Sequence, residues 1–312
     1  MPAQHLGEIV TDKPAMAAGP PSKAHNLPVS TLSTPSAPIG VYDSGVGGLA
    51  VLRALRQALP GESFAYVADS AHAPYGDRSP AFVAARASHV AGFFVGRNAK
   101  ALVLACNTVS VVAARRLRQL HALPIVAMEP AIKPATRVTR SRVVLVLATT
   151  NTIQSPAVAH LCSTYGEGVR IILQPCPGLA DRVEQGAFHD DATGRLLERF
   201  IRPGLDAGAD TIVLGCTHYV FLARQISKLA GASVAVLEPS AAIARQLVRR
   251  LPPSPAVVNP TGSTSFYTTG SVPELRNFLE AIGERAECVH QLPIHASKIS
   301  RGTHGNRTDQ VS

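Results

Sequence analysis

From Ile39 to Leu237 short apolar runs alternate with longer stretches of helical periodicity, and this alternation constrains the fold more than any other feature. The runs Ile39–Tyr42, Phe64–Ala68, Ala101–Ala105, Ile125–Ala127, Val143–Ala148, Val169–Leu173, Thr211–Gly215 and Val234–Leu237 are apolar almost throughout. Strands that do not alternate apolar with polar residues are covered on both faces, as in parallel sheets flanked by helices. Between them lie helical patterns such as Leu49–Leu59, Pro80–Arg97, Val109–His121, Ile153–Tyr165 and Thr193–Gly204. Ser79 and Pro80 supply an N-cap and a first-turn proline for the second of these. The succession predicts an α/β fold with mainly parallel sheets, whose ligands sit beyond the carboxyl ends of the strands.

The strand ends repeat. Ile39-Gly-Val-Tyr-Asp-Ser-Gly is similar to Val143-Val-Leu-Val-Leu-Ala-Thr-Thr, and Ala101-Leu-Val-Leu-Ala-Cys-Asn-Thr to Thr211-Ile-Val-Leu-Gly-Cys-Thr-His. Such duplication predicts two similar α/β domains related by a pseudo-twofold axis. Two copies facing one another bring Cys106 and Cys216 to opposite sides of one cleft, where the active site is expected.

Each of these cysteines ends a strand just before a helix start, where unpaired amides and the helix dipole favour a thiolate. A buried, inert thiol is the alternative, and it is the reading given to Cys162, Cys176 and Cys288, which lack this setting. A zinc site built from Cys106, Cys216 and His218 lacks the close-spaced ligand pairs of structural zinc, and no metal is expected. The run Asp43-Ser-Gly-Val-Gly-Gly lets backbone amides approach an anion, and a small carboxylate suits it better than a pyrophosphate. Asp43 then either meets an amino group or serves a neighbouring thiol as proton partner. In Pro74-Tyr-Gly, Tyr75 offers a hydroxyl and Gly76 an amide to a carboxylate, or the segment is a turn with Tyr75 as its anchor. Thr149 and Thr152 supply hydroxyls or cap a helix. Glu184, taken alone, reads as a surface acid.

Composition enters as a filter. Thirty Lys and Arg against 21 acids give a net charge of +9. The basic residues are scattered over helical faces, as at Arg53, Arg56, Arg115 and Arg116, with no aromatics interleaved to stack on bases. They suit a solvated face or an anionic small substrate better than a nucleic-acid surface. No run of 18 apolar residues and no secretory signal is present, and five cysteines are too few for a disulfide framework. A cytoplasmic enzyme with reduced thiols is expected. Residues 1–37 carry no apolar periodicity and read as a disordered extension, and 289–312 as a flexible tail.

The set Asp43-Ser-Gly-Val-Gly-Gly, Pro74-Tyr-Gly, Ala105-Cys-Asn-Thr, Ala148-Thr-Thr-Asn-Thr, Val183-Glu-Gln-Gly and Leu214-Gly-Cys-Thr-His-Tyr resembles bacterial glutamate racemase, across roughly residues 38–285. The resemblance implies L- and D-glutamate as substrate and product, with D-glutamate destined for peptidoglycan. It implies no pyridoxal phosphate and no metal; from composition and charge no membrane and no required nucleic acid are expected, and a homodimer is left open. The chain would cross between domains twice, so that 38–132 plus 240–288 form the first and 133–239 the second. Carried over position by position, Cys106 and Cys216 match the catalytic acid/base pair. Asp43 and Ser44, Tyr75 and Gly76, Asn107 and Thr108, and Thr217 and His218 match substrate-contacting pairs, joined by Thr149 and Thr152. Glu184 and His218 resemble the acid–imidazole pair that assists the second cysteine. The departure is Leu237-Glu-Pro-Ser, where Asp-Ser is expected before Ala241. An aspartate or hydantoin racemase is the nearest rival, and a basic binding protein the rival from another class.

Overall fold

The computed structural model describes residues 37–251, 262–286 and 288–292. The expected extension, apart from Ala37, and the tail beyond Leu292 lie outside the described residues. Strands β1 (Ile39–Asp43), β2 (Phe64–Ala68), β3 (Ala101–Leu104) and β4 (Ile125–Ala127) begin one sheet. A second sheet consists of β5 (Val143–Ala148), β6 (Arg170–Pro175), β7 (Thr211–Leu214) and β8 (Ala235–Leu237). The chain then returns to the first sheet with β9 (Thr264–Thr268) and β10 (Val289–Gln291). Every strand pair is parallel.

The first sheet runs β10-β9-β2-β1-β3-β4 and the second β6-β5-β7-β8. Its β2-β1-β3-β4 portion therefore repeats as β6-β5-β7-β8, with β5 in the place of β1 and β7 in the place of β3. The two pairs of similar sequence runs fall on these equivalent strands. All residues of β1, β2, β3 and β7 are buried, which is why their sequences are apolar without alternation. Strand β6, at the edge of the second sheet, is half-exposed.

The passages between the two lobes flank the helices Ile132–Val138 and Ser240–Arg250. The first packs on β5 and β7, and the second on helix Leu49–Ala58 of the first lobe. At the second passage Glu238 has a visible purpose. Pro239 caps the helix without a side-chain bond, and the Glu238 carboxylate accepts the Ser240 N–H at 2.8 Å instead. Val289–Gln291, assigned from sequence to the flexible tail, form a strand whose register puts Val289 beside Phe266. That strand is short and mostly polar because it lies at the sheet edge, with only Val289 of its three residues buried. Among the described residues no helix is long and apolar enough to cross a membrane.

Candidate active site

Strand β1 delivers Asp43, fully buried, to the seam between the lobes. Its Oδ1 accepts from the Gly45 N–H at 2.7 Å and lies 3.4 Å from the Ser44 hydroxyl. Its Oδ2 accepts from Thr217 Oγ1 of the second lobe at 3.0 Å. Ser44 Oγ is in turn 3.6 Å from Cys106 Sγ, so a hydroxyl links the carboxyl group to the first thiol. Cys106 follows β3 and caps helix Asn107–Leu120 with extended dihedrals (φ −132°, ψ 125°). Cys216 follows β7 with nearly the same dihedrals (φ −139°, ψ 135°) and caps the turn Thr217–Leu222. The sequence repeat has become a backbone repeat.

The second thiol has its own chain of partners. Cys216 Sγ is 3.7 Å from His218 Nδ1, and His218 Nε2 is 2.5 Å from Glu184 Oε1. Glu184 ends the helix Leu179–Glu184 and also accepts the Val46 N–H from the first lobe at 2.9 Å. Two amides of the glycine-rich run do not face a ligand as expected from sequence: Gly45 N–H is taken up by Asp43 and Val46 N–H by Glu184. The glycines are needed for closeness: a Cβ on Gly45 would stand 1.8 Å from Glu184 Oε1, and one on Gly47 2.5 Å from His218 Nδ1. Glu184, which in isolation read as a surface acid, is a clasp between the lobes.

Electrostatics separates the two thiols. Burial, helped by the Asp43 charge, pushes the Cys106 thiol up to about 12, against weaker help for the thiolate from the Val109 amide and Ser44. The helix-start setting does not outweigh burial there, contrary to the expectation from sequence. Burial also raises Asp43 to about 6, opposed by the charge of His218 and the Gly45 amide. Burial on its own would lower His218, but its bonds to Cys216 and Glu184 hold the imidazole well above its ordinary value. The second thiol accordingly sits beside a cation and the first beside a carboxyl group.

One small cavity is lined by both cysteines together with Ser44, Tyr75, Gly76, Asn107, Thr108, Thr149 and His218. Its volume is about 10 Å³, room for roughly one water. Asp43, Thr152, Thr217 and Glu184 stand behind this wall. Thr152 Oγ1 accepts from Thr149, Thr217 donates to Asp43 and Glu184 holds His218, so these groups act through their neighbours. Asn107 points both amide atoms into buried space with no hydrogen-bond partner among the described residues, the pattern of a group kept for a ligand. Thr108 and Thr149 hydroxyls meet across the lobes at 3.0 Å.

Tyr75 does not offer its hydroxyl. The group is buried, bonded to Asp69 Oδ2 and 2.8 Å from Tyr42 Oη, which makes Tyr75 an anchor and leaves the loop backbone to face a ligand. Asp69, which the sequence reading passed over, is the hub of that anchor. Arg86 grips it with two bonds of 2.8 and 2.7 Å, and Thr269 Oγ1 donates to it at 2.7 Å. The available signal was position, because Asp69 follows β2 as Asp43 ends β1. The zinc alternative finds no group of three or more metal-binding side chains among the described residues. Cys162 is half-buried, Cys176 buried and Cys288 exposed; Cys176, just past β6, donates to the Gln174 carbonyl of that strand. A cavity of about 730 Å³ lies beside the lobe passages near Lys133 and Arg245, and neither cysteine of the site lines it.

Known proteins resemble this chain in sequence and in fold. The sequence profile of the Asp/Glu/Hydantoin racemase family matches residues 39–247. A glutamate racemase of Pseudomonas entomophila (strain L48) is 45% identical over 261 residues, covering 83% of this chain and 98% of the relative. Among solved structures, a glutamate racemase isoform of Bacillus anthracis superposes with a TM-score of 0.75 at 28% identity, over 84% of this chain and 99% of its own. The Escherichia coli glutamate racemase, solved with L-glutamate and the activator UDP-MurNAc-ala, gives 0.72 at 28% identity, over 82% and 98%.

Proposed function

This chain belongs to the Asp/Glu/Hydantoin racemase family, and we propose that it interconverts L- and D-glutamate by proton transfer between two facing cysteines. Inverting the α-carbon requires a base on one face and an acid on the other. Cys216 begins as the thiolate, stabilised by the cationic His218 that Glu184 holds. Cys106, pushed up to about 12, begins as the thiol. Cys216 takes the α-proton of L-glutamate, the electron pair passes into the α-carboxylate as a planar carbanion, and Cys106 protonates the opposite face.

One turnover leaves Cys216 protonated and Cys106 a thiolate. The thiols are reset by their own chains, His218–Glu184 for Cys216 and Ser44–Asp43 for Cys106. The same chains serve the D-to-L direction with roles exchanged. Asn107, the Gly76 amide and the hydroxyls of Thr108 and Thr149 bind the substrate, and fixed dipoles there stabilise the charge that builds on the carboxylate. Exclusion of water by the closed seam strengthens those contacts. The D-glutamate formed would supply peptidoglycan synthesis in the cytoplasm.

The observation that carries this reading is the pair of thiols at equivalent strand ends, lining one cavity, each with a separate chain to a carboxyl group. The test is proton NMR in heavy water with the two enantiomers supplied separately and no pyridoxal phosphate added. The wild-type protein should racemise glutamate and treat aspartate poorly, although one methylene is worth only about 1–3 kcal/mol in a pocket. Cys106→Ala and Cys216→Ala should each lose at least the ~10²–10⁴-fold that a placed acid or base contributes. Cys106→Ala should still exchange the α-proton of L-glutamate without inverting it, and Cys216→Ala that of D-glutamate. Racemisation near the wild-type rate by either variant would end the two-thiol mechanism, and equal activity on aspartate would end the substrate assignment.

A further inference from the structure

Tyr75 is held at both ends. Its hydroxyl is fixed to Asp69 and Tyr42 in the first lobe, and its carbonyl accepts from Asn151 Nδ2 of the second lobe at 3.1 Å. The same side-chain amide donates to the Arg78 carbonyl at 2.8 Å, and the Asn151 backbone N–H donates to the Gly76 carbonyl at 3.2 Å. Three bonds therefore run from one residue to three carbonyls of one loop. Within the loop, the Arg78 N–H also donates to the Tyr75 carbonyl at 3.2 Å. Asn151 sits on the short helix Thr150–Ile153, directly after Thr149, which lines the cavity.

Peptide planarity gives these bonds a consequence. The Tyr75 carbonyl and the Gly76 N–H belong to one planar trans unit and point in opposite directions. Drawing the carbonyl toward Asn151 turns the Gly76 N–H away from it. Among the described residues nothing accepts from that N–H, and Gly76 lines the cavity shared by the two cysteines. Gly76 also packs closely on the second lobe, since a Cβ there would stand 3.1 Å from Thr149 Cβ. We propose that Asn151 is a positioning residue for the racemase site: it orients the Gly76 N–H toward the substrate carboxylate when the lobes close. It touches neither substrate nor thiol and acts through the Tyr75–Gly76 peptide. This rests on the cleft being a glutamate site.

The experiment is steady-state kinetics on full-length Asn151→Ala and Asn151→Asp, in both directions, with thermal midpoints measured alongside. Losing two neutral donor bonds across the seam should raise KM for both enantiomers by about 5–20-fold. The kcat should stay within about twofold and the midpoint within about 2 °C, because the residue is only half-buried and touches no reacting group. Asn151→Asp keeps the shape but sets a carboxylate against two carbonyl oxygens, so it should be at least as impaired as Asn151→Ala. An unchanged KM in Asn151→Ala would overturn the proposal. So would an Asp variant as good as wild type beside a weak Ala variant, which is the order for a space-filling side chain. A fall in kcat and midpoint together without a KM effect would make Asn151 structural. Wild-type protein inactive on glutamate would instead sink the reading of the cleft, and this inference with it.

Discussion

A buried acid such as Asp43 is kept at a cost, and the cost has a measurable sign. Its carboxyl group titrates at about 6 in the folded chain against 3.8 for the free side chain. Between those values the folded state binds more protons than the unfolded state, so stability falls as pH rises through the window. The stability associated with the protonated group is complete below 3.8 and lost once pH passes 6. A shift of this size corresponds to about 3 kcal/mol. Asp43→Asn should therefore raise the unfolding free energy at pH 8 by up to about that amount, with the gain vanishing near pH 4. Urea unfolding at the two pH values measures it. Activity should be lost at both, since Ser44 would then link Cys106 to a group that takes no proton. A variant destabilised at pH 8 would mean that the bonds from Gly45 and Thr217 outweigh desolvation. At this scale the sequence revealed the two thiols, because each is marked by the polar residues directly after it, Asn107-Thr108 in one case and Thr217-His218 in the other. It hid the pairing of Glu184 with Val46, whose partners are 138 residues apart and meet only when two lobes are juxtaposed.

Elements were legible where burial is two-sided. The central strands β1, β3, β5 and β7 announce themselves by unbroken apolar runs. The two strands after the return to the first sheet do not: β10, at the sheet edge, reads Val-His-Gln with only Val289 buried, and β9 begins with the half-buried Thr264-Ser265. Caps were readable too, and Ser79 accepts from the Phe82 N–H as its position before Pro80 suggested. The glycine-rich loop after β1 was recognised as special, but sequence could not say whether its glycines clear space for a ligand or for the protein itself. A substitution separates the cases. Gly45→Ala would press a methyl group into Glu184, displacing it from His218, and misplacement of that order costs about 10²-fold in rate. Gly92→Ala, within helix Pro80–Gly96 with nothing near its Cβ, should leave activity intact and stabilise by roughly 0.5–1 kcal/mol. Full activity in Gly45→Ala would show that the Glu184–His218 contact is dispensable.

At the scale of the whole molecule, the two lobes meet with almost no space between the thiols. About 10 Å³ cannot hold an amino acid, so turnover requires the lobes to part and close again. Among the described residues the hydrogen bonds that must break are few: Glu184 to Val46, Thr217 to Asp43, Thr108 to Thr149, and the Asn151 set. None belongs to a sheet ladder, so parting the lobes can leave both sheets intact. The Val46 N–H reports this motion selectively, because its partner lies on the other lobe whereas strand amides of β1 are bonded within their own sheet. In the free protein the Val46 amide should exchange with solvent far faster than that of Val41 in β1. Saturating glutamate, over which the lobes close again, should slow Val46 and leave Val41 nearly unchanged. At a hundredfold excess over Kd the closed form gains about 2.7 kcal/mol, which is about a hundredfold in protection for any amide exposed only by opening. Exchange of Val46 as slow as Val41 without ligand would mean that the seam does not open as a unit, and substrate would then have to enter by local motion of the Tyr75–Arg78 loop alone.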